Sequence, residues 1–263
     1  MDKSIIFFDI DGTLVSETTH RVPESTKLAL KKARENGHLL FINTGRASSN
    51  IDNLVKELNF DGYVCGCGTY IEFNNKEIFS KTLDKAFVKN LVKDIRECKL
   101  DGIIESKTAT YYDDFIYGPE VRKIKDEHFL KEEKQVVKTF DDEDIDCDKF
   151  VIWYNDQSDF EKFHDIYKDD FDFIHRDTNF YEIVPKGFSK ASGIEFLIKE
   201  LNIPFENTYA VGDSTNDLSM LKYVKNSIAM GNSNPVLFDS VSYVTTDIEE
   251  DGIYNALKHF SLI

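Results

Sequence analysis

With 263 residues, 41% of them hydrophobic, the chain can bury a large core and has room for one domain or two. Its 48 Asp and Glu against 32 Lys and Arg leave a formal charge of −16. Such a surface repels polyanions, which argues against nucleic acid and anionic membrane as partners, and any anionic substrate then needs a locally positive site.

Cys65, Cys67, Cys98 and Cys147 lack the paired spacing of a zinc site. With an N-terminal apolar run too short for a secretory signal, they give the expectation of a cytoplasmic protein with reduced thiols. No stretch approaches about 18 consecutive apolar residues, so no membrane-spanning helix is expected.

The first element is the apolar run Ile5-Ile6-Phe7-Phe8, which ends directly in Asp9-Ile10-Asp11-Gly12-Thr13. It reads as a buried strand with two carboxylates at its C-terminal end, where open α/β sheets hold their ligands. Crowded carboxylates are costly unless a cation neutralises them or one keeps a proton. Asp and Gly also simply end strands. A calcium loop fits poorly, because Gly12 falls at the fourth position and His20 at the twelfth.

Residues 24–36 predict a helix, introduced by Pro23 and ended by Asn36-Gly37. His38 to Ile42 predicts a second strand, ending in Asn43-Thr44-Gly45-Arg46. The spacing of Ile51, Leu54, Val55 and Leu58 predicts a helix, and Gly62 to Cys65 a third strand. This alternation points to an α/β fold with a doubly wound, mostly parallel sheet.

From about residue 83 the texture changes. Phe87, Val88, Leu91, Val92 and Ile95 form a helical stripe, followed by short strands at 102–105 and 109–112. A heavily charged stretch, including Lys131 to Lys134, and the acidic run Asp141 to Asp144 read as solvated chain. Strands at 150–154, 171–175 and 179–184 and a helix at 158–168 complete an inserted α+β unit. The expected limits are 1–82 and 188–263 for the scaffold and 83–187 for the insert. After Pro185-Lys186-Gly187 the first rhythm resumes with a helix at 190–201 and a strand at 208–211. That strand ends in Gly212-Asp213-Ser214-Thr215-Asn216-Asp217. A strand at 227–230 ends in Gly231-Asn232; a last strand at 241–244 and a helix at 253–260 close the chain.

Polar clusters at the ends of parallel strands share one sheet edge, so Asp9 and Asp213 can converge there on one hard cation. Mg²⁺ suits few carboxylates and several waters. Phosphoryl transfer needs such parts: an attacking carboxylate, cations for the phosphoryl oxygens, and a second acid to serve the leaving group and then water. Taken singly, Thr44 also suits a helix N-cap, Lys190 a surface lysine, and Asp213 with Asp217 a helix start.

The chain resembles the haloacid dehalogenase superfamily phosphatases, within the Cof-type subfamily that carries a large α/β cap, over essentially its full length. Four motifs carry the resemblance in order: Asp9-Ile10-Asp11-Gly12-Thr13, Thr44 in Asn43-Thr44-Gly45-Arg46, Lys190 in Gly187-Phe188-Ser189-Lys190, and Gly212 to Asp217. The resemblance implies Asp9 as nucleophile and Mg²⁺ ligand. It implies Asp11 as general acid/base that also lends its main-chain carbonyl to the metal. Thr44, Gly45, Lys190 and Asn216 would hold phosphate, Asp213 would bind Mg²⁺, and Asp217 would support that shell. The insert would be the cap, closing to exclude water. A small phosphorylated metabolite, such as a sugar phosphate, is the implied substrate. Cys67, Ala191 and Ile248 depart from the subfamily pattern without removing a catalytic group.

Other functions compete. A sugar phosphomutase shares the core motifs, and a phospho-accepting module would stop at Asp9. Tyr111, Tyr112, Arg122, His175 and Arg176 are candidates for substrate choice or for ordinary packing. A dinucleotide site is weak, because after Gly66-Cys67-Gly68 the third glycine of the fingerprint falls on Ile71.

Overall fold

Short runs rich in β-branched and aromatic residues form many of the strands, and polar turns close β1, β2 and β12. The computed structural model describes residues 3–130 and 136–263, so Lys131 to Lys134 lie outside the described residues. The chain begins with β1 (Ile5–Phe8), α1 (Glu24–Glu35), β2 (Leu39–Asn43), a single-turn α2 (Asn53–Lys56), β3 (Gly62–Cys65), β4 (Tyr70–Phe73) and β5 (Lys76–Ser80). It continues through α3 (Lys85–Glu97), β6 (Asp101–Glu105), β7 (Thr110–Tyr112), α4 (Pro119–Leu130) and β8 (Val137–Thr139). Then come β9 (Lys149–Trp153), α5 (Phe160–Tyr167), β10 (Phe171–Asp177) and β11 (Phe180–Pro185). The last stretch holds α6 (Lys190–Glu200), β12 (Thr208–Gly212), α7 (Leu218–Tyr223), β13 (Asn226–Ala229), β14 (Tyr243–Val244) and α8 (Gly252–His259).

The chain divides into two compact units: 1–45, 52–79 and 189–263 form one, and 46–51 with 80–188 the other. The first unit is built on an eight-stranded sheet in the order β14-β13-β12-β1-β2-β3-β4-β5. It is parallel from β14 to β3, and β4 then turns back antiparallel on β3. The hairpin of β4 and β5 is an element that periodicity missed. Its two-residue turn, Asn74-Asn75, has positive φ at both positions (51° and 59°), the geometry that matches strand twist. β1 sits at the centre with β2 and β12 on its two sides, so the strand order reverses at its C-terminal end. Phe7, Phe41, Val64 and Ala210 pack on one face with Ile194 and Leu197 of α6 and Met220 of α7.

The second unit is a six-stranded sheet in the order β10-β11-β9-β6-β7-β8. Leu91 and Ile95 of α3 and Phe163 of α5 bury one face against Ile104, Phe150 and Ile183. Val121 and Ile124 of α4 cover Ile103, Tyr112 and Val151 on the other. α4 lies where the sequence predicts only charged chain; few apolar positions suffice because the helix covers a small patch.

Three further differences have local causes. The helix expected from Ile51 to Leu58 shrinks to one turn, because Ile51 is extended (φ −80°, ψ 115°) and Asn59 is left-handed (φ 57°). The strand expected at 241–244 is only Tyr243–Val244. Tyr111 and Tyr112 are fully buried, which removes them as substrate contacts. All four cysteines are buried. No described helix is long and apolar enough to cross a membrane.

Candidate active site

β1 delivers Asp9 to the sheet edge, where its N–H donates to the Val211 carbonyl (3.1 Å) and the chain then turns. That turn is tight: Leu14 and Val15 both donate to the Ile10 carbonyl at 2.9 Å. Asp9 is 4% exposed, whereas Asp11, two residues on, is exposed to solvent. The pair therefore offers one sequestered and one accessible carboxylate.

β12 ends beside it. Thr13 Oγ1 donates to Asp213 Oδ1 at 2.9 Å, joining loops 200 residues apart. Gly12 is required by this approach: a Cβ there would lie 2.4 Å from Asp213 Oδ2, and its φ is +75°. Its missing side chain makes room for a carboxylate. Gly212 acts alike for Asp217, whose Cγ would lie 2.6 Å from an added Cβ. Asp217 Oδ2 then accepts the N–H groups of Asp213 (3.0 Å) and Ser214 (3.1 Å).

Lys190 is the first residue of α6, whose N-terminus is closed by a reciprocal Ser189–Ser192 capping box. Its own carbonyl accepts Asn43 Nδ2 at 2.9 Å. Only 1% exposed, Lys190 donates through Nζ to Asp9 Oδ1 and to Asp217 Oδ1, each at 2.6 Å. The alternative of a surface lysine is thereby removed.

Thr44 is buried at the end of β2; its N–H donates to the Val64 carbonyl (2.9 Å) and its carbonyl accepts Cys67 N–H (3.2 Å). Gly45 follows, half-buried. Asn216 lies in the short turn Thr215–Asp217, its side-chain oxygen accepting the Ser214 hydroxyl. Arg46, the residue after Gly45, belongs to the second unit.

Three carboxylates, Asp9, Asp213 and Asp217, thus gather about one ammonium group, with Asp11 exposed beside them. Burial, then the neighbouring Asp217, raises the Asp9 carboxyl above its ordinary range despite Lys190. Burial, then Asp217 and Asp9, pushes Asp213 up to about 8. Burial works against the charge of Lys190, yet Asp217 and Asp9 hold it protonated well above the usual lysine range. Oxygens of Asp9, Asp213 and Asp217 lie within 4.8 Å of one another. An all-oxygen set with unneutralised charge fits a hard divalent cation.

Reasoning from sequence overlooked three supporting residues: Thr13 on Asp213, Asn43 under Lys190, and Asn232. Asn232 Nδ2 donates to the Gly12 carbonyl (2.8 Å) and its Oδ1 accepts Ile248 N–H (3.0 Å). Its one signal was the position of Gly231-Asn232 at a strand end.

Residues 6–257 match the family model described as haloacid dehalogenase-like hydrolase. The chain is 30% identical over 266 residues, all of both chains, to "Putative phosphatase YkrA" of Bacillus subtilis (strain 168). It is similar to a crystal structure from Geobacillus kaustophilus HTA426 (27% identity, TM-score 0.86, all of both chains). It is also similar to a solved structure titled as a subclass IIB sugar phosphatase (29% identity, TM-score 0.82, 99% and 100% covered). With the four motifs gathered on one sheet edge and the match spanning nearly every residue, the chain belongs to the haloacid dehalogenase-like hydrolase family.

Proposed function

We propose that the protein is a Mg²⁺-dependent phosphomonoesterase that hydrolyses small phosphorylated metabolites, sugar phosphates foremost, through an aspartyl-phosphate on Asp9. The observation that carries this reading is the Lys190 ammonium held between Asp9 and Asp217, with Asp213 alongside. A phosphate monoester is repelled by these carboxylates, which outnumber the single ammonium, unless further positive charge is present. Asp9, Asp213 and the main-chain carbonyl of Asp11 are the groups assigned to Mg²⁺. Bound Mg²⁺ supplies that charge and favours the ionised form of Asp9.

An Asp9 carboxylate oxygen bonds to phosphorus as the ester P–O bond breaks, and Asp11 gives its proton to the departing oxygen. Asp11 then takes a proton from water, whose oxygen attacks phosphorus and releases Asp9 and inorganic phosphate. The exposure of Asp11 supports this role, since leaving groups and water must reach it. Lys190, Thr44, Gly45 and Asn216 hold the phosphoryl oxygens. Asp217 keeps Lys190 charged and anchors the backbone of Asp213 and Ser214. In this reading residues 80–188 are the cap. Sugar phosphates are favoured by the likeness to the subclass IIB sugar phosphatase, and the acidic surface favours small substrates over nucleic acids.

A panel of phosphorylated metabolites assayed with Mg²⁺ and with EDTA tests this. Release of inorganic phosphate in the first and its loss in the second are expected. Absence of turnover with Mg²⁺ across hexose and pentose phosphates rejects the reading.

Asp11→Asn is expected to lower turnover about 10²–10⁴-fold and to leave a longer-lived phospho-enzyme. Acid-quenched protein after exposure to a labelled substrate would retain label on Asp9. Wild-type turnover in this variant removes the proposed role of Asp11.

Stability should report the cation as well. Asp213 has a folded pKa of about 8 against an ordinary 3.8. Between these values the folded protein keeps a proton that the unfolded chain has lost, so metal-free stability falls as pH rises through that window. Mg²⁺ at about 100 times its dissociation constant contributes about 2.7 kcal/mol. The rise in melting temperature on adding Mg²⁺ should therefore be larger at pH 8.5 than at pH 6; an equal or reversed effect contradicts the assignment.

A further inference from the structure

Residues 46–51 follow directly on Thr44-Gly45, yet they belong to the unit formed by residues 80–188. The reason is a set of side-chain bonds to the β6–β7 hairpin. Asn50, 8% exposed, donates from Nδ2 to Glu105 Oε1 at 2.6 Å and accepts Thr110 Oγ1 on Oδ1 at 2.8 Å. Ser49 Oγ donates to the Ser106 carbonyl at 2.6 Å. The segment is also closed on itself: Asn50 N–H donates to the Ala47 carbonyl (2.9 Å), and Arg46 Nη1 donates to the Asn50 carbonyl (3.4 Å). Glu105 is fixed in turn by Lys149, whose Nζ lies 2.7 Å from its other oxygen and 2.6 Å from Glu182.

Thr44, by contrast, is held in the first unit by both its N–H and its carbonyl. The chain therefore passes between units within one peptide step of a residue assigned to phosphate, with Gly45 as the joint. Besides the two long connections at 79/80 and 188/189, this adds crossings at 45/46 and 51/52.

We infer that Asn50 is a positioning residue, which anchors residues 46–51 on the β6–β7 hairpin and thereby fixes the chain that leaves the phosphate loop at Thr44-Gly45. The inference rests on the phosphatase reading above. Its physical content is a short covalent path: five residues carry the link, and a strand-end hairpin with buried partners resists local adjustment. The side-chain amide suits the position because it donates to a carboxylate and accepts from a hydroxyl at once.

The test uses the full chain with Mg²⁺ and p-nitrophenyl phosphate, reading kcat, inhibition by inorganic phosphate and melting temperature. Asn50→Ala is expected to lower kcat about 10-fold and to weaken phosphate inhibition by a similar factor, a range suited to loss of positioning. Thr110→Val should act in the same direction, and the double variant should be no worse than Asn50→Ala, since both act through one bond. Asn50→Asp sets a carboxylate against Glu105 and should be as poor. Adding Glu105→Gln reverses donor and acceptor and should restore kcat to within about threefold of wild type. A purely structural role lowers the melting temperature while kcat and phosphate inhibition stay within twofold, and that result overturns the inference. Loss of kcat without rescue by the reversed pair overturns it too. Absence of turnover in wild type instead removes the phosphatase reading, and the inference with it.

Discussion

Asp9→Asn is expected to lower turnover about 10⁴-fold or more, because it removes the proposed nucleophile and not merely one of several contacts. The fold should survive. Asp9 is buried among carboxylates, and burial raises its carboxyl above the ordinary range, so without metal its charge is a liability to the folded state. An amide there relieves part of the crowding with Asp213 and Asp217, and Lys190 keeps its bond to Asp217. Metal-free Asp9→Asn should accordingly melt at or above the wild-type temperature, and its gain from Mg²⁺ should shrink. Circular dichroism and a phosphate-release assay on the same preparation check both halves. Activity within tenfold of wild type would mean that another group attacks phosphorus.

Lys190→Met should damage both stability and chemistry. The ammonium is the shared partner of two buried carboxylates. Removing one member of a buried ion pair costs about 3–5 kcal/mol, since the remaining charges lie unpaired in a medium that solvates them poorly. Methionine keeps the apolar length of the stem, so the loss reports charge more than packing. The effect should be smaller with Mg²⁺ present and at lower pH, where Asp9 and Asp213 are neutralised. Turnover should fall about 10²–10³-fold, the usual cost of removing one preorganised donor. Circular dichroism is the signal to follow in urea: Trp153, the only tryptophan, lies in the other unit and does not report this one directly. A midpoint unchanged from wild type would show that the three charges are not coupled as drawn.

Much of the scaffold was legible because its signals are local. Four consecutive apolar residues from Ile5 to Phe8 can only be a short buried element. The helix over 85–97 is written in the spacing of Val88, Leu91, Val92 and Ile95. The hairpin of Tyr70–Phe73 and Lys76–Ser80 had a readable turn in Asn74-Asn75, but its strands are short and one is largely polar. The helix at Pro119–Leu130 was obscured by charge. Tyr111 and Tyr112 drew attention as polar aromatics, whereas each buries its ring and satisfies its hydroxyl, on Asp146 N–H and on His128 Nδ1.

Residue types and their order marked Asp9, Asp11 and Asp213 as carboxylates at strand ends, where the proposed chemistry needs them, whereas Thr44 and Lys190 were marked only by the resemblance to the family. Sequence alone also pointed to the sheet class, through short apolar runs alternating with stretches of helical spacing. Tertiary structure decided which groups touch: that Lys190 is sunk between Asp9 and Asp217, that Thr13 and Asn232 brace loops 200 and 220 residues apart in the chain, and that residues 46–51 join the second unit. Those outcomes depend on hydrogen bonds between distant segments, and such bonds leave no periodic trace in the order of residues.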